Sequence, residues 1–292
     1  MLSWTVGNAK VTSIVESETP TSPRFLYKKM SKIDVLERAV KAPWLRPNFV
    51  SDDGYLLQKI QCLVVELGDL RIAVDTCVGN DKERSNELWA NLDGPFLEDM
   101  TKAGYPPEDI THVVCTHLHV DHVGWNTRLV DGRWVPTFPN ARYIFVDAEY
   151  SHWRDEPSLF DGEDPFGDSV APVMDAGLVD MVSPDHSISQ ADDGSVWLES
   201  TPGHTPGHVS LVVESDGAKA VITGDMLHHP MQLADPSLSS MFDTDPVASR
   251  ATRERMFPQW ADGQTLVIGT HFGTPTAGLL VADGDGFRLD SD

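Results

Sequence analysis

Short apolar, β-branched runs recur along the chain and are separated by polar stretches that contain glycine or proline. Residues 62–67 and 70–74 are two such runs, and the Gly68-Asp69 pair between them predicts a tight β-hairpin. A second hairpin is predicted near the C-terminus, at 277–282 and 287–289. The remaining predicted strands lie at 10–15, 113–115, 142–146, 196–198, 220–222 and 266–268.

Fewer stretches carry the signals of a helix. Residues 96–103 predict a short helix that ends at Gly104, because glycine readily adopts the left-handed conformation after a helix. Residues 147–154 predict a second helix, and residues 245–260 a longer one with an aspartate N-cap and a proline in its first turn. No repeat, linker or low-complexity stretch divides the chain, so we expect a single α/β domain covering residues 1–292.

The densest chemistry of the chain follows the predicted strand at 113–115. Residues 116–122 read T-H-L-H-V-D-H, which places four ligand-type side chains in six positions. Imidazole and carboxylate groups are the usual ligands of zinc and similar divalent ions. One ion cannot easily take four ligands so close in sequence, so alternate side chains are expected to point at two adjacent ions. The four candidates are His117, His119, Asp121 and His122.

Three more ligand-type residues, His204, Asp225 and His271, each follow an apolar strand and a turn of small residues. A lone histidine after a strand is ordinarily polar surface. Four strand ends that carry such residues in one chain instead predict a site for two metal ions. The other histidines are expected to play no part in it, with His228 as the exception discussed below; they are His112, His152, His186, His208 and His229.

The series H-x-H-x-D-H, G-H, G-D and a late T-H resembles the motifs of the metallo-β-lactamase superfamily of binuclear metal hydrolases. The resemblance runs from about residue 55 to the C-terminus and implies an αββα sandwich with the metals at its edge. Asp75, in A-V-D-T-C, matches the aspartate that opens the series, and the resemblance implies that it orients a ligand without binding metal itself. The implied ligands are His117, His119 and His204 for one metal, Asp121, His122 and His271 for the other, and Asp225 as the bridge.

The family resemblance implies two divalent ions, zinc first, with manganese, iron and cobalt as alternatives. A hydroxide that bridges them is expected to attack a carboxylic ester or lactone. The nearest resemblance is to the lactonase and organophosphate-hydrolase branch. The lactonases have a tyrosine three residues after the bridging aspartate, where this chain has His228. We expect Asp225, Asp121 and His228 to be the catalytic residues, with His228 donating a hydrogen bond to the substrate.

Two other functions stay open on the sequence alone. One is hydrolysis of a phosphotriester, and the other is an iron-dependent oxygenase of the same fold. A scaffold without metal would require lost ligands, and the ligand set is complete. Only 21 residues follow His271, so the helical extension of glyoxalase II-like thioesterases is not expected, nor is the inserted domain of the β-CASP nucleases.

Composition narrows the expected partners. The formal net charge is −23, with 45 acidic and 22 basic residues, which disfavours nucleic acids and anionic membranes and favours a small-molecule substrate. The three cysteines have no C-x-x-C spacing and lie in or beside apolar strands, so buried thiols in a reducing, cytoplasmic compartment are predicted. No signal peptide or membrane span is expected. The cysteines are Cys62, Cys77 and Cys115.

Two segments are not explained by the metal ligands. Residues 24–46 hold seven of the 22 basic residues and two acids, which indicates a solvated helix face, a homodimer contact or a positive rim for an anionic substrate. Within an arm at about 20–50, Trp44 and Phe49 stand beside prolines and are interpreted as a wall of the substrate pocket, with core or interface as the alternatives. Residues 153–182 are rich in Asp, Pro, Gly and Phe and are interpreted as an insertion near the mouth of the site.

Overall fold

Two seven-stranded β-sheets form the centre of the structure, a computed structural model that describes residues 1–155 and 164–291. The first nine strands are β1 (Ser3–Val6), β2 (Ala9–Thr21), β3 (Leu56–Leu67), β4 (Leu70–Val74), β5 (His112–Val114), β6 (Thr127–Val130), β7 (Arg133–Pro136), β8 (Arg142–Val146) and β9 (Val179–Val182). The next seven are β10 (Ser187–Ala191), β11 (Gly194–Ser200), β12 (Val209–Ser215), β13 (Ala218–Ile222), β14 (Thr265–Ile268), β15 (Ala277–Asp283) and β16 (Gly286–Asp290).

The strand order brings the ends of particular strands together. The first sheet has the order β1-β2-β3-β4-β5-β8-β9, and its last four strands are parallel. The second sheet runs in sequence from β10 to β16 and is antiparallel except for the parallel pair β13 and β14. Strands β6 and β7 form a separate hairpin. Because parallel neighbours end on the same side of a sheet, the segments after β4 and β5, and those after β13 and β14, lie next to each other.

Helices cover the outer face of each sheet. They are α1 (Pro23–Leu26), α2 (Lys32–Lys41), α3 (Phe96–Lys102), α4 (Val120–Val123), α5 (Asp147–Asp155), α6 (Ala171–Asp175), α7 (Met231–Ala234) and α8 (Pro246–Trp260). Helix α2 begins with a capping box in which Ser31 and Asp34 bond to each other's backbone amides. Helix α8 begins at Asp245, whose side chain accepts from two backbone amides, as the sequence predicted.

Three apolar clusters fill the spaces between the layers. Strand β3 shows how, because Leu63 and Val65 belong to the cluster between the two sheets, whereas Cys62 and Val64 belong to the cluster beneath α3. This alternation is the two-residue period of a strand that is buried on both faces. A third cluster joins the outer face of the second sheet to α2 and α8. The αββα order of layers expected from the resemblance is confirmed.

Most of the predicted elements are present, and their bounds differ at the ends. Strand β2 continues to Thr21, well past the predicted end at 15, and β3 begins at Leu56. The segment 153–182, interpreted from the sequence as an insertion near the mouth of the site, contains α6 and supplies β9, which pairs with β8 at the edge of the first sheet. Residues 156–163 of that segment lie outside the described residues. In the described chain, no helix combines the length and apolar character needed to cross a membrane.

Candidate metal centre

The seven predicted ligands converge at one edge of the sandwich. His117 and His119 lie in the turn after β5, and Asp121 and His122 lie on α4, which begins directly afterwards. The other three ligands follow strands of the second sheet. His204 stands between β11 and β12, Asp225 in a 3-10 turn after β13, and His271 after β14. Both sheets therefore contribute predicted ligands to this one edge of the sandwich.

Three imidazole nitrogens form a compact triangle at this edge. Nε2 of His117 lies 3.0 Å from Nδ1 of His119 and 3.2 Å from Nε2 of His204, and the third side of the triangle is 2.9 Å. Ligand nitrogens 2.0–2.1 Å from a tetrahedral zinc ion are about 3.3 Å apart, so the triangle resembles one face of such a site. Three hydrogen bonds among these three nitrogens cannot form together, whereas one cation satisfies all three lone pairs.

A second group faces the first. Nε2 of His271 lies 3.2 Å from Nε2 of His122, and the Asp121 carboxylate lies 3.6 Å and 3.7 Å from these two nitrogens. Asp225 stands between the groups. Its Oδ1 lies 3.0 Å from Nε2 of His271, and its Oδ2 lies 3.5 Å from Nε2 of His204. The same Oδ2 also lies 3.4 Å from Nε2 of His122. The Asp225 carboxylate therefore contacts histidines of both groups, as a bridging ligand requires.

The charges of the ligands also fit cations. Burial, with the neighbouring imidazoles, holds the pKa of His117 well below its usual range and lowers that of His119 to about 4. Burial acts in the same direction on His271, but Asp225 and Asp121 outweigh it and raise its pKa to about 9. The histidines of the first group are therefore neutral and offer lone pairs. In the second group, His271 carries a positive charge beside the carboxylates of Asp225 and Asp121. Bound cations would displace those protons and neutralise the same carboxylates.

Asp75 contacts a ligand and the ligand-bearing turn, as its predicted role requires. Its Oδ2 lies 2.9 Å from Nδ1 of His122, the ring nitrogen on the side away from the first group. The carboxylate also accepts the backbone amide and the hydroxyl of Thr116, at 2.8 Å and 2.9 Å. Asp75 itself has φ of 54°, a region that costs a non-glycine residue about 1–3 kcal/mol. The contacts made by its carboxylate offset that strain.

Glu149 and His208 support the ligands and were not expected from the sequence. The buried Glu149 carboxylate accepts the amide of Leu118, between two ligands, and the amide of Gly207, both at 3.0 Å. His208 Nε2 accepts the amide of Asp225 at 2.8 Å. Burial lowers the pKa of His208 to about 3, which keeps its ring neutral and this nitrogen an acceptor. No motif in the sequence had marked Glu149, and His208 had been expected to play no part in the site.

His228 also reaches the centre. Its Nε2 lies 3.2 Å from Oδ2 of Asp225, and its ring is 4.8 Å from that of His204. The side chain is buried, and neither ring nitrogen has a hydrogen-bond partner among the described residues. Gln58 holds the backbone carbonyl of His228 through a 3.0 Å hydrogen bond. The imidazole is therefore directed at the ligands and not at the surface.

A cavity of about 570 Å³ opens above the ligands. Five of them form its floor together with His228, and Thr19–Thr21 at the end of β2 form part of its rim; the five are His119, Asp121, His204, Asp225 and His271. An apolar wall, the aromatic wall below, consists of Phe25, Leu88, Trp89 and Phe242. The rings of Phe25 and Phe242 have centroids 5.0 Å apart, and those of Phe25 and Trp89 lie 6.1 Å apart.

The expectation that Trp44 and Phe49 form the pocket wall is wrong. Neither residue lines the cavity. Phe49 is buried in the cluster beneath α2, where its ring meets that of Phe272 at 6.2 Å, and Trp44 packs on Phe49 at the same distance. Phe49 is therefore a core residue, and the half-buried Trp44 packs against that core, which is the alternative that the sequence left open.

The basic segment is partly accounted for by ion pairs. Arg38 binds Asp235 at 2.7 Å, Lys32 lies 3.5 Å from Asp53, and Arg46 pairs with Asp52. The segment supplies Phe25 and Leu26 to the cavity, but none of its lysines or arginines lines it in the described chain. A solvated helix face therefore accounts for α2 better than a positive rim does. The cysteines are buried and unpaired, as expected.

The chain is an αββα sandwich, and imidazole and carboxylate groups that could hold metal ions cluster at one edge of it. These two features together are typical of a class of metal-binding folds. The family model described as the metallo-beta-lactamase superfamily matches residues 59–271. The chain belongs to this superfamily, which confirms the resemblance stated from the motifs.

Curated relatives and solved structures extend the comparison. An N-acyl homoserine lactonase of a Bacillus species is 26% identical over 175 residues, which are 56% of this chain and 61% of the relative. The lactonase AttM of Rhizobium radiobacter is 33% identical over 137 residues, 46% of this chain and 48% of the relative. The matched region thus spans less than two thirds of the length of these relatives.

Two solved structures share the fold over nearly the full chain. One is the hydrolase AbOPH of the beta lactamase superfamily, with a TM-score of 0.78 and 22% identity over 99% of this chain and 96% of that one. The other is AidC, a dizinc quorum-quenching lactonase in complex with a product, with a TM-score of 0.75 and 19% identity over 100% of this chain and 97% of that one.

Proposed function

We propose that this chain is a binuclear metal-dependent hydrolase that cleaves a carboxylic ester or a lactone. The observation that carries the proposal is the pair of ligand groups joined by Asp225 at the floor of the cavity. His117, His119 and His204 would hold one divalent ion, and Asp121, His122 and His271 the other. Relatives named as lactonases and a structural neighbour named as dizinc support zinc and a lactone.

Two bound ions would supply a water of lowered pKa as the nucleophile at neutral pH. The residues of the chain do the rest. Asp225 and the six other ligands fix the positions of both charges, and Asp121, which lines the cavity, accepts the proton of the attacking water. His228, also on the cavity floor, donates a hydrogen bond to the carbonyl or leaving oxygen of the substrate. Asp75 holds the ring of His122 in place.

The aromatic wall is compatible with a second substrate class. The aromatic wall stands beside the ligands and offers ring faces and edges to a flat, apolar leaving group. Aryl phosphotriesters carry such a group, as aryl esters do. Hydrolysis of a phosphotriester is therefore the second candidate, with the same ligands and the same nucleophile.

Metal analysis combined with a substrate panel tests the proposal. We expect two divalent ions per chain, about 3.5–4 Å apart in a crystal structure of the metal-loaded protein. The panel contains an N-acyl homoserine lactone, a simple lactone, an aryl ester, a phosphotriester and a β-lactam. Hydrolysis of an ester or lactone that stops on chelation and returns with zinc supports the proposal.

Three results contradict it. One is a single ion per chain after reconstitution, and another is preferred hydrolysis of the phosphotriester, which selects the second candidate. The third is an iron content that accompanies oxygen consumption and no hydrolysis, which selects an oxygenase. The same panel, repeated with manganese and cobalt, identifies the ion that supports the fastest turnover.

A further inference from the structure

The two ring nitrogens of His204 face different neighbours, and one of these neighbours is the buried carboxylate of Asp243. Its Nε2 faces the other two histidines of the first group, while its Nδ1 lies 3.2 Å from Oδ1 of Asp243. Both side chains are fully shielded from solvent. His122 in the second group has a similar neighbour, since its Nδ1 lies 2.9 Å from Oδ2 of Asp75, but this contact does not have the geometry of a hydrogen bond. Each ligand group therefore contains one histidine whose far nitrogen meets a buried aspartate.

The surroundings hold Asp243 in this position. The amide of Ser240 donates to its Oδ2 at 3.1 Å, and Nη1 of the buried Arg253 lies 3.9 Å from the same oxygen. The next residue, Thr244, donates its amide to the carbonyl of His204 at 2.8 Å. The segment that carries Asp243 is thus attached to the ligand through both its side chain and its backbone, and α8 begins directly after it.

A separate ion site at Asp243 is a poorer explanation of this geometry. Oxygen and nitrogen atoms of Asp243, His204 and His228 lie within 4.8 Å of one another. However, a neutral imidazole that gives its Nε2 lone pair to one ion carries its proton on Nδ1, and so has no second lone pair to offer. A carboxylate 3.2 Å away accepts that proton in a hydrogen bond.

We propose that Asp243 is a positioning residue for the metal of the first group. It accepts a hydrogen bond from Nδ1 of His204, which fixes the tautomer and aims Nε2 at the ion. Asp75 lies beside the corresponding nitrogen of His122 in the second group, so the two aspartates should act on different ions. The inference rests on the proposed binuclear function, because it requires that both groups hold a metal.

The test compares Asp243→Asn with Asp75→Asn and with the double variant. A matched control is Asp245→Asn, a change of the same size two residues away, where asparagine caps a helix as well as aspartate does. Zinc is removed by dialysis against graded concentrations of a chelator, and the ions that remain on each protein are counted. Unfolding temperatures of the metal-free proteins are measured in parallel.

We expect each single variant to bind one of the two ions about 10–100-fold more weakly and to keep the other at its normal affinity. The double variant should bind both weakly. Asp243→Glu, which keeps the charge, should recover part of the affinity lost in Asp243→Asn. Because Asp243 also lies beside the buried Arg253, the metal-free Asp243→Asn protein should unfold at a lower temperature than the unmodified metal-free chain. Its affinity for one ion should still be reduced when metal binding is measured well below that temperature, where the protein is folded.

Several outcomes overturn the inference. One is normal affinity for both ions in Asp243→Asn. Another is a double variant that still keeps one ion, since both aspartates would then act on the same metal. A third is a metal-free Asp243→Asn protein that is already unfolded at the temperature of the metal measurement, because its loss of metal affinity would then follow from a purely structural role. If the unmodified chain itself holds fewer than two ions, the proposed function fails before this comparison begins.

Discussion

The floor and the wall of the cavity are built in opposite ways. The floor consists of ligands at strand ends, and in it His204 and Asp225 are at most 3% exposed and each contact a further buried polar group. The aromatic wall comes from the short helix α1 and from loops, and Phe242 and Leu88 in it are 41% and 76% exposed. The floor is therefore constrained by both sheets, while the wall depends on a few ring contacts. We expect changes in the floor to affect metal and turnover, and changes in the wall to affect substrate preference.

The largest effect is expected at the bridge of the floor. Asp225→Ala should lose both ions together, because this side chain supplies an oxygen to each ligand group. Hydrolysis should fall by on the order of 10³-fold or more. Elemental analysis and turnover of the best panel substrate measure the two losses. Asp192→Ala is the control, because Asp192 is exposed and does not line the cavity, and it should change neither metal content nor turnover.

His228→Ala tests whether the floor contributes more than metal ligands. Removal of a hydrogen-bond donor to the substrate should lower kcat by ~10²–10³-fold while both ions stay bound. His228→Tyr should restore part of the loss, since a phenol donates a similar bond from the same position. An unchanged kcat in His228→Ala, or an imidazole turned away from the ligands in a metal-loaded crystal structure, would contradict the role.

Asp75→Ala should have a smaller effect than either change above. The variant should retain substantial metal, because the aspartate touches His122 from behind and does not face the ions. Loss of that contact should cost roughly 10–100-fold in metal affinity or activity. Metal titration and steady-state kinetics on one preparation give both values. If neither value moves, the assignment of Asp75 as an orienting residue is wrong.

The smallest expected effect belongs to the wall. Phe242→Ala removes a ring that is partly exposed, so the loss of apolar contact should be about 1 kcal/mol, or about five-fold in KM for an aryl or long-chain substrate. Metal content and kcat should not change. Val247→Ala, at an exposed apolar residue that does not line the cavity, is the matched control. A loss of metal in Phe242→Ala would remove the distinction between floor and wall.

The same contrast explains what the sequence revealed. Each ligand follows a β-branched strand and belongs to a motif of at most seven residues, so local pattern and resemblance together identified the floor. The wall residues Phe25, Trp89 and Phe242 come from three distant segments, the helix α1 and two loops, and meet only in the folded chain. Nothing in the local sequence of Phe49 separates a pocket aromatic from a core aromatic, and the structure places it in the core.

The buried carboxylates that contact the ligands were only partly predictable from the sequence. Asp75 was identified because it opens a motif, whereas Glu149 lies on a helix with no motif and touches the ligand turns from behind. Asp243 was missed for the same reason, since its partner His204 is 39 positions away. Buried carboxylates that orient ligands carry no spacing signal in a single sequence, because the fold alone decides which turn they reach.

The distribution of ligands over both sheets has a consequence for the order of folding. His122 and His271 are 149 positions apart, and their ring nitrogens meet only after the two sheets have docked. Contacts of such long range form late on a folding pathway. We therefore expect the ions to leave the refolding rate almost unchanged and to slow unfolding, because the two ligand groups come together only when the sheets have docked. Bound zinc would then stabilise the folded chain after the sheets have docked and would not speed their docking.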